Sequence, residues 1–250
     1  MPPSDRTARP DLAATLACVL VALAVPSGEA AEWRLAGFTG VGLTEDSDLE
    51  IREPGRGTSL VFRDASFDDK SLELVSAPYL GWRLTRISER RPRIALALEV
   101  LHFKIFTETD RMVDIEGTFR GFPVDGPVAM DAFVQQYDVA NGVNLVMLDV
   151  ILRRPGLAGG RAELYAGLGA GPTIPYTKAT VGGSGGDGHY ELSELGGQLL
   201  AGALWQLSPR WDLFAELKLT RTTVDGTFDG GESEVDLTTR HATAGLGYRF

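Results

Sequence analysis

Apolar side chains return at every second position along most of this chain, and that period constrains its fold more than any other feature. From Trp211 to Thr223, the residues Trp211, Leu213, Ala215, Leu217 and Leu219 share one face. Asp212, Phe214, Glu216, Lys218 and Thr220 share the other. Successive side chains of a strand point to opposite faces, so this is the period of a strand and not of a helix. The same alternation runs through residues 72–85, 93–100, 146–153, 164–174 and 198–207, with 33–44 first and 235–250 last. Together these stretches predict an all-β chain of about eight strands.

The connections alternate as well. Residues 88–92, 154–160 and 208–210 are short turns, whereas 45–70, 107–136, 178–190 and 225–234 are long polar stretches. Short turns at one end and long loops at the other describe a closed antiparallel transmembrane β-barrel with periplasmic turns and extracellular loops. In hydrocarbon only a closed barrel satisfies the backbone of every strand. The longer alternating segments, about 12 to 16 residues, exceed the roughly 9 to 11 needed to span, so some strands should project beyond the bilayer. Leu246, Tyr248 and Phe250 share the last apolar face. This ending resembles that of bacterial outer-membrane barrels, and the resemblance implies recognition by the barrel-insertion machinery through Phe250.

The first residues fit export. Arg6 and Arg9 precede an apolar run from Leu12 to Val25, and Gly28-Glu29-Ala30 offers small residues around a cleavage point. This is the layout of a secretory signal peptide over residues 1–30, leaving one barrel domain over 31–250 in the outer membrane. The chain of 250 residues carries 24 basic and 34 acidic side chains, a formal charge of −10. Without residues 1–30 the sum is 22 − 31 = −9. This acidic balance argues against a nucleic-acid partner, whose run of phosphates calls for a basic excess. The single cysteine, Cys18, lies inside the apolar run, which excludes a disulfide framework and a cysteine-based zinc site.

About eight strands enclose an interior that side chains just fill, too narrow for a wide aqueous pore. Arg34, Arg83, Glu99, Asp149 and Tyr165 alternate with the apolar face and are candidates for that interior. Glu216, Lys218, His241 and Arg249 join them. Both signs are present, so mutual pairing into a plug is expected, since unpaired charges there are costly. Gly167, Gly169 and Gly171 on the same face make room for larger neighbours.

Other patterns carry less. Gly182-Gly183-Ser184-Gly185-Gly186 matches G-x-S-x-G but lacks the strand–turn–helix setting of a nucleophile elbow, so it is expected to be a flexible linker. Asp46, Asp48, Glu50, Asp68 and Asp69, and separately Asp225, Asp229 and Glu232, could share a divalent cation, though neither set has EF-hand spacing. A solvated acidic loop is the simpler expectation, and no other cofactor is evident. Glu99 and His102 are three apart and should face opposite sides, whereas Glu216 and His241 could both face the lumen.

Several short segments resemble the lipid A oxidase-like outer-membrane proteins, within the broader class of small barrels of the OmpA and OmpX kind. They are Thr44-Glu45-Asp46-Ser47-Asp48, Glu99-Val100-Leu101-His102-Phe103-Lys104 and Asn141-Gly142-Val143-Asn144-Leu145. Phe214-Ala215-Glu216-Leu217-Lys218, His241 and the Tyr248-Arg249-Phe250 ending complete the set, and Asn141 stands where that pattern has His. The resemblance implies oxygen-dependent oxidation of the proximal glucosamine of lipid A to an aminogluconate unit. On it the site candidates are His241, His102, Asn144 and Glu216, together with Asn141, Glu99 and Lys218. The sequence thus supports a barrel serving envelope integrity or a lipopolysaccharide-facing surface, with outer-membrane lipid and lipopolysaccharide as partners. The alternative is a lipid A-modifying oxidase.

Overall fold

Strand periodicity becomes strand pairing in the computed structural model, which describes residues 31–68, 70, 78–186, 188 and 190–250. The expected signal peptide and the first part of the 72–85 stretch lie outside the described residues. In chain order the strands are β1 (Ala31–Thr44), β2 (Ser47–Glu53), β3 (Thr58–Ala65), β4 (Phe67–Asp68), β5 (Leu80–Ser88), β6 (Ile94–Thr107), β7 (Met112–Phe119) and β8 (Phe122–Ala129). There follow β9 (Val134–Leu157), β10 (Ala162–Pro175), β11 (Lys178–Val181), β12 (Ser184–Gly186), β13 (Leu195–Gln206), β14 (Trp211–Phe228) and β15 (Gly231–Arg249).

Eight of these form the expected antiparallel ring, β1-β5-β6-β9-β10-β13-β14-β15. Pairing of β1 with β15, from Arg34↔Arg249 to Thr44↔Thr239, closes it. Closure leaves no free edge in the ring, the condition for strands to lie in lipid. The three short turns and both ends of the ring gather at one end, where Phe250 N donates to Trp33 O at 3.0 Å.

The outward faces form a continuous apolar band. On β14, Trp211, Leu213, Ala215, Leu217 and Leu219 are exposed, and Arg221 is the next outward residue. From Trp211 to Arg221 at about 3.3 Å per residue, with a tilt near 40°, the band is about 25 Å tall, the height of an outer-membrane barrel's lipid belt. At its lower margin Trp211 packs edge-on against Tyr248, which stacks on Phe250. Above it, Arg221 pairs with Asp236 and Arg240 with Glu45. The protein is an integral barrel of the outer-membrane type.

The long polar stretches are not merely solvated loops. β9, β14 and β15 run on for 24, 18 and 19 residues in all. The sheet continues from the upper part of β15 through β2, β3, β7 and β8, while β11 pairs with upper β9. Beneath them lies an apolar core of Leu49, Ile51, Leu60, Phe62, Ile115, Met130, Val134, Tyr137, Val181, Val224 and Val235, each at most 2% exposed. Alternating pairs such as Leu49–Ile51 and Leu60–Phe62 carry the strand signal, but they are short and set among acidic residues. The expected flexible linker at 182–186 is a hairpin: Gly182 and Gly183 take φ of +55° and +75° between β11 and β12. Gly182 N also donates to Phe133 O at 2.7 Å. β8 is the free edge of this outer sheet, and its Pro123 and Pro127 lack the N–H that edge-to-edge pairing requires.

Candidate functional site

The lumen is built by the polar face of the ring. Arg83 on β5, Glu99 on β6, and Glu216 and Lys218 on β14 meet at mid-barrel, none more than 5% exposed. The Arg83 guanidinium forks onto Glu216 at 2.9 and 2.7 Å and donates to Glu99 at 2.6 Å. Lys218 Nζ bonds Glu99 and lies 3.2 Å from Glu216 Oε1. Two cations and two carboxylates thus cancel in a closed quartet. The Phe38 ring faces it, with Lys218 Nζ 4.6 Å from its centroid, a cation–π contact.

A third carboxylate falls outside this balance. Asp149 accepts from Gln198 Nε2 at 2.5 Å, and its Oδ2 and Gln198 Oε1 have no partner among the described residues. The glycines of β10 allow this crowding. A Cβ at Gly169 would stand 1.9 Å from Asp149 Oδ1, and one at Gly202 on β13 would stand 2.5 Å from the Tyr165 hydroxyl. Below the quartet a cavity of about 30 Å³, lined by Arg34, Arg83, Tyr165 and Phe214 among others, has room for about one water. Farther down, Asp212 binds Arg249 at 2.9 Å and Arg34 at 3.1 Å, and Arg153 binds Glu163 at 2.7 Å. Every inward candidate named from the sequence therefore lies on the lumen side, and Gln198, Asp212 and Glu163 join them.

The histidines divide. His241 on β15 is 2% exposed, with Nδ1 3.0 Å from the Tyr79 hydroxyl and Nε2 2.8 Å from Thr220 Oγ1. The Phe103 ring packs edge-on at 5.0 Å. Glu216 does not approach this imidazole; it belongs to the quartet. Tyr79 falls within the alternating stretch 72–85, and nothing else in the sequence marks it. His102 on β6 points the other way. It is half-buried on the outward wall, near the top of the apolar band, with Nδ1 2.9 Å from Asn144 Oδ1 on β9. Asn144 Nδ2 in turn donates to Ile174 O at 2.9 Å. Gly142 lies under the imidazole, where a Cβ would meet His102 Cε1 at 2.2 Å. His102 and Asn144 are thus together, while His241 and Glu216 are apart from them inside the wall. Nothing of the Asn141 side chain is among the described residues.

The acidic residues of the outer sheet are mostly engaged. Arg63 joins Asp48 and Glu116, and those two carboxylates hold its guanidinium above the usual value. Arg52 takes Glu50. Glu50, Glu234 and Asp225 are direct cross-strand neighbours on β2, β15 and β14. Partial burial, then Asp225 and Glu50, push the Glu234 carboxyl upward. Among the described residues no group of three or more His, Cys, Asp or Glu is placed to hold a metal ion. Asp69 lies outside them.

No family model matches the chain, and no curated protein matches it. Among solved structures, it is similar to Neisserial surface protein A at 11% identity, over 89% of this chain and 100% of that one, with a TM-score of 0.41. It is similar to the outer membrane protein OprG from Pseudomonas aeruginosa at 16% identity, over 89% and 97%, with a TM-score of 0.49. It is also similar to the outer membrane protein AlkL in lipid bilayers at 13% identity, over 91% and 94%, with a TM-score of 0.46. Likeness at these identities bears on neither ligand nor activity.

Proposed function

We propose that this protein is a non-conducting outer-membrane barrel that carries a folded β-platform on the cell surface and serves envelope integrity and lipopolysaccharide-facing contacts. The observation that carries this reading is the double closure of the lumen, by the Arg83–Glu99–Glu216–Lys218 quartet and by the apolar core above it. A filled bore transmits no solute, and a rigid outer sheet presents a fixed surface. The test is a pair of measurements. The purified protein in planar bilayers should give no steady conductance steps, and cells lacking it should become more sensitive to detergent and to large antibiotics. Regular ohmic steps from the folded parent would overturn the reading.

A second reading, the lipid A oxidase, is favoured by one feature: the His102–Asn144 pair faces outward near the upper margin of the apolar band. A lipid A headgroup in the outer leaflet would lie at that height. On this reading His102→Ala should abolish an oxidised lipid A species seen by mass spectrometry, with the barrel still folded. Identical lipid A in parent and deletion strains would end it.

A further inference from the structure

Charge is distributed unevenly between the two ends of the barrel. At the turn end, Arg86 on β5, Arg93 before β6, Arg154 on β9 and Arg161 before β10 form a rim, the last three exposed. Among the described residues, the ion pairs of this end lie in and at the mouth: Arg153 with Glu163, and Arg34 and Arg249 with Asp212 and with the partly exposed Glu32. None of them takes Arg86, Arg93, Arg154 or Arg161. At the opposite margin, by contrast, Arg221 and Arg240 are each paired with a carboxylate.

The rim borders a groove. The register of β9 and β10 slips between Ala162↔Leu157 and Leu164↔Arg154. Beside this bulge the outer wall carries an open groove of about 300 Å³, lined by Leu152, Arg153, Arg154, Leu164, Tyr165 and Ala166. Ala166 stands opposite Leu152 on one side and Ala201 on the other, so the floor is low where a larger side chain would fill it. The 2.8 Å bond from Arg153 N to Arg93 O brings the Arg93 backbone to the same end.

We propose that this groove and rim bind one anionic phospholipid of the inner leaflet. Its acyl chain lies against Leu152, Leu164 and Ala166, and its phosphate is held by Arg154 with Arg93 and Arg161 in support. Guanidinium matches phosphate as a two-donor fork, and the uncompensated rim favours a headgroup with net negative charge. A zwitterionic headgroup brings its own ammonium into the same field and loses that advantage. The inference rests on the barrel's placement in the membrane and adds a ligand to it.

Native mass spectrometry of the full barrel from micelles with equal phosphatidylglycerol and phosphatidylethanolamine tests it. The parent should retain phosphatidylglycerol at least tenfold over phosphatidylethanolamine. The double variant Arg93→Gln/Arg154→Gln should erase that preference, and Ala166→Leu should reduce retention of both lipids. Arg221→Gln/Arg240→Gln at the other margin should change nothing. Equal retention of the two lipids by the parent, or an unchanged preference in Arg93→Gln/Arg154→Gln, would overturn the proposal. So would displacement of the lipid by glycerol 3-phosphate at equal concentration, since the groove would then add nothing. Heat-modifiable gel mobility, measured on each sample, reports the barrel separately, so equal retention of the two lipids by a parent with intact mobility refutes this site alone.

Discussion

Glu99 and Asp149 are both buried carboxylates on the lumen wall, yet their replacement should have opposite consequences. Glu99 balances Arg83 and Lys218, and removing its charge leaves a buried cation uncompensated, which costs about 3–5 kcal/mol. Glu99→Gln should therefore lower the midpoint of urea unfolding in micelles markedly. Asp149 lies outside the balanced quartet with Oδ2 unpartnered. Asp149→Asn keeps the shape and the acceptor for Gln198 while removing the surplus charge, so the same measurement should show no loss or a gain. Equal destabilisation by both would refute the charge count. His241→Ala leaves the Tyr79 and Thr220 hydroxyls without their shared partner, a loss of about 1–3 kcal/mol in a thermal melt.

Single strands answer to two solvents. Leu217 is 67% exposed on β14, at the middle of the lipid band. Leu217→Arg should cost about 2–4 kcal/mol there and reduce assembled barrel in membranes, whereas Thr238→Arg above the band should not. The upper strands obey the rules of a water-soluble core. Phe62 on β3 is fully buried, so Phe62→Ala should cost about 3–5 kcal/mol and expose the outer sheet to protease on intact cells. The ring below should keep its heat-modifiable mobility. Glu234 adds a pH dependence. Its folded carboxyl titrates higher than in an unfolded chain, so its ionisation penalises the folded outer sheet as pH rises above about 4, the unfolded value. Glu234→Gln should make that sheet more protease-resistant than the parent at neutral pH, with the difference vanishing below that value.

For the molecule as a whole, closure of β1 on β15 couples every strand to every other. The folded barrel should resist dodecyl sulfate until boiled and shift on gels after boiling; identical mobility would count against a closed ring. The whole molecule is also polarised. Its outer sheet is rich in acids such as Glu50, Asp225 and Glu234, and its turn end in arginines. The two ends of the barrel therefore carry opposite charge, and the basic end is the one the anionic-lipid proposal uses.

The alternation of residues such as Leu213, Leu217 and Leu219 with Asp212, Glu216 and Lys218 determined by itself that the chain makes strands, which side chains face lipid and which face the lumen. That information is local, because a strand's faces are set by its own backbone. The short turns and long connections likewise determined which end is which. Partner choice was not local. Arg83 finds Glu216 133 positions away, and Lys218 finds Glu99 119 positions away, only because ring closure and register bring β5, β6 and β14 around one bore. Whether His241 met a carboxylate or two hydroxyls depended on that register as well, and it met Tyr79 and Thr220. The outer core was hidden for a related reason: Leu49–Ile51 and Leu60–Phe62 are too short to signal a strand alone. They became strands because β15 offered an edge to pair with and the barrel mouth offered apolar surface to cover.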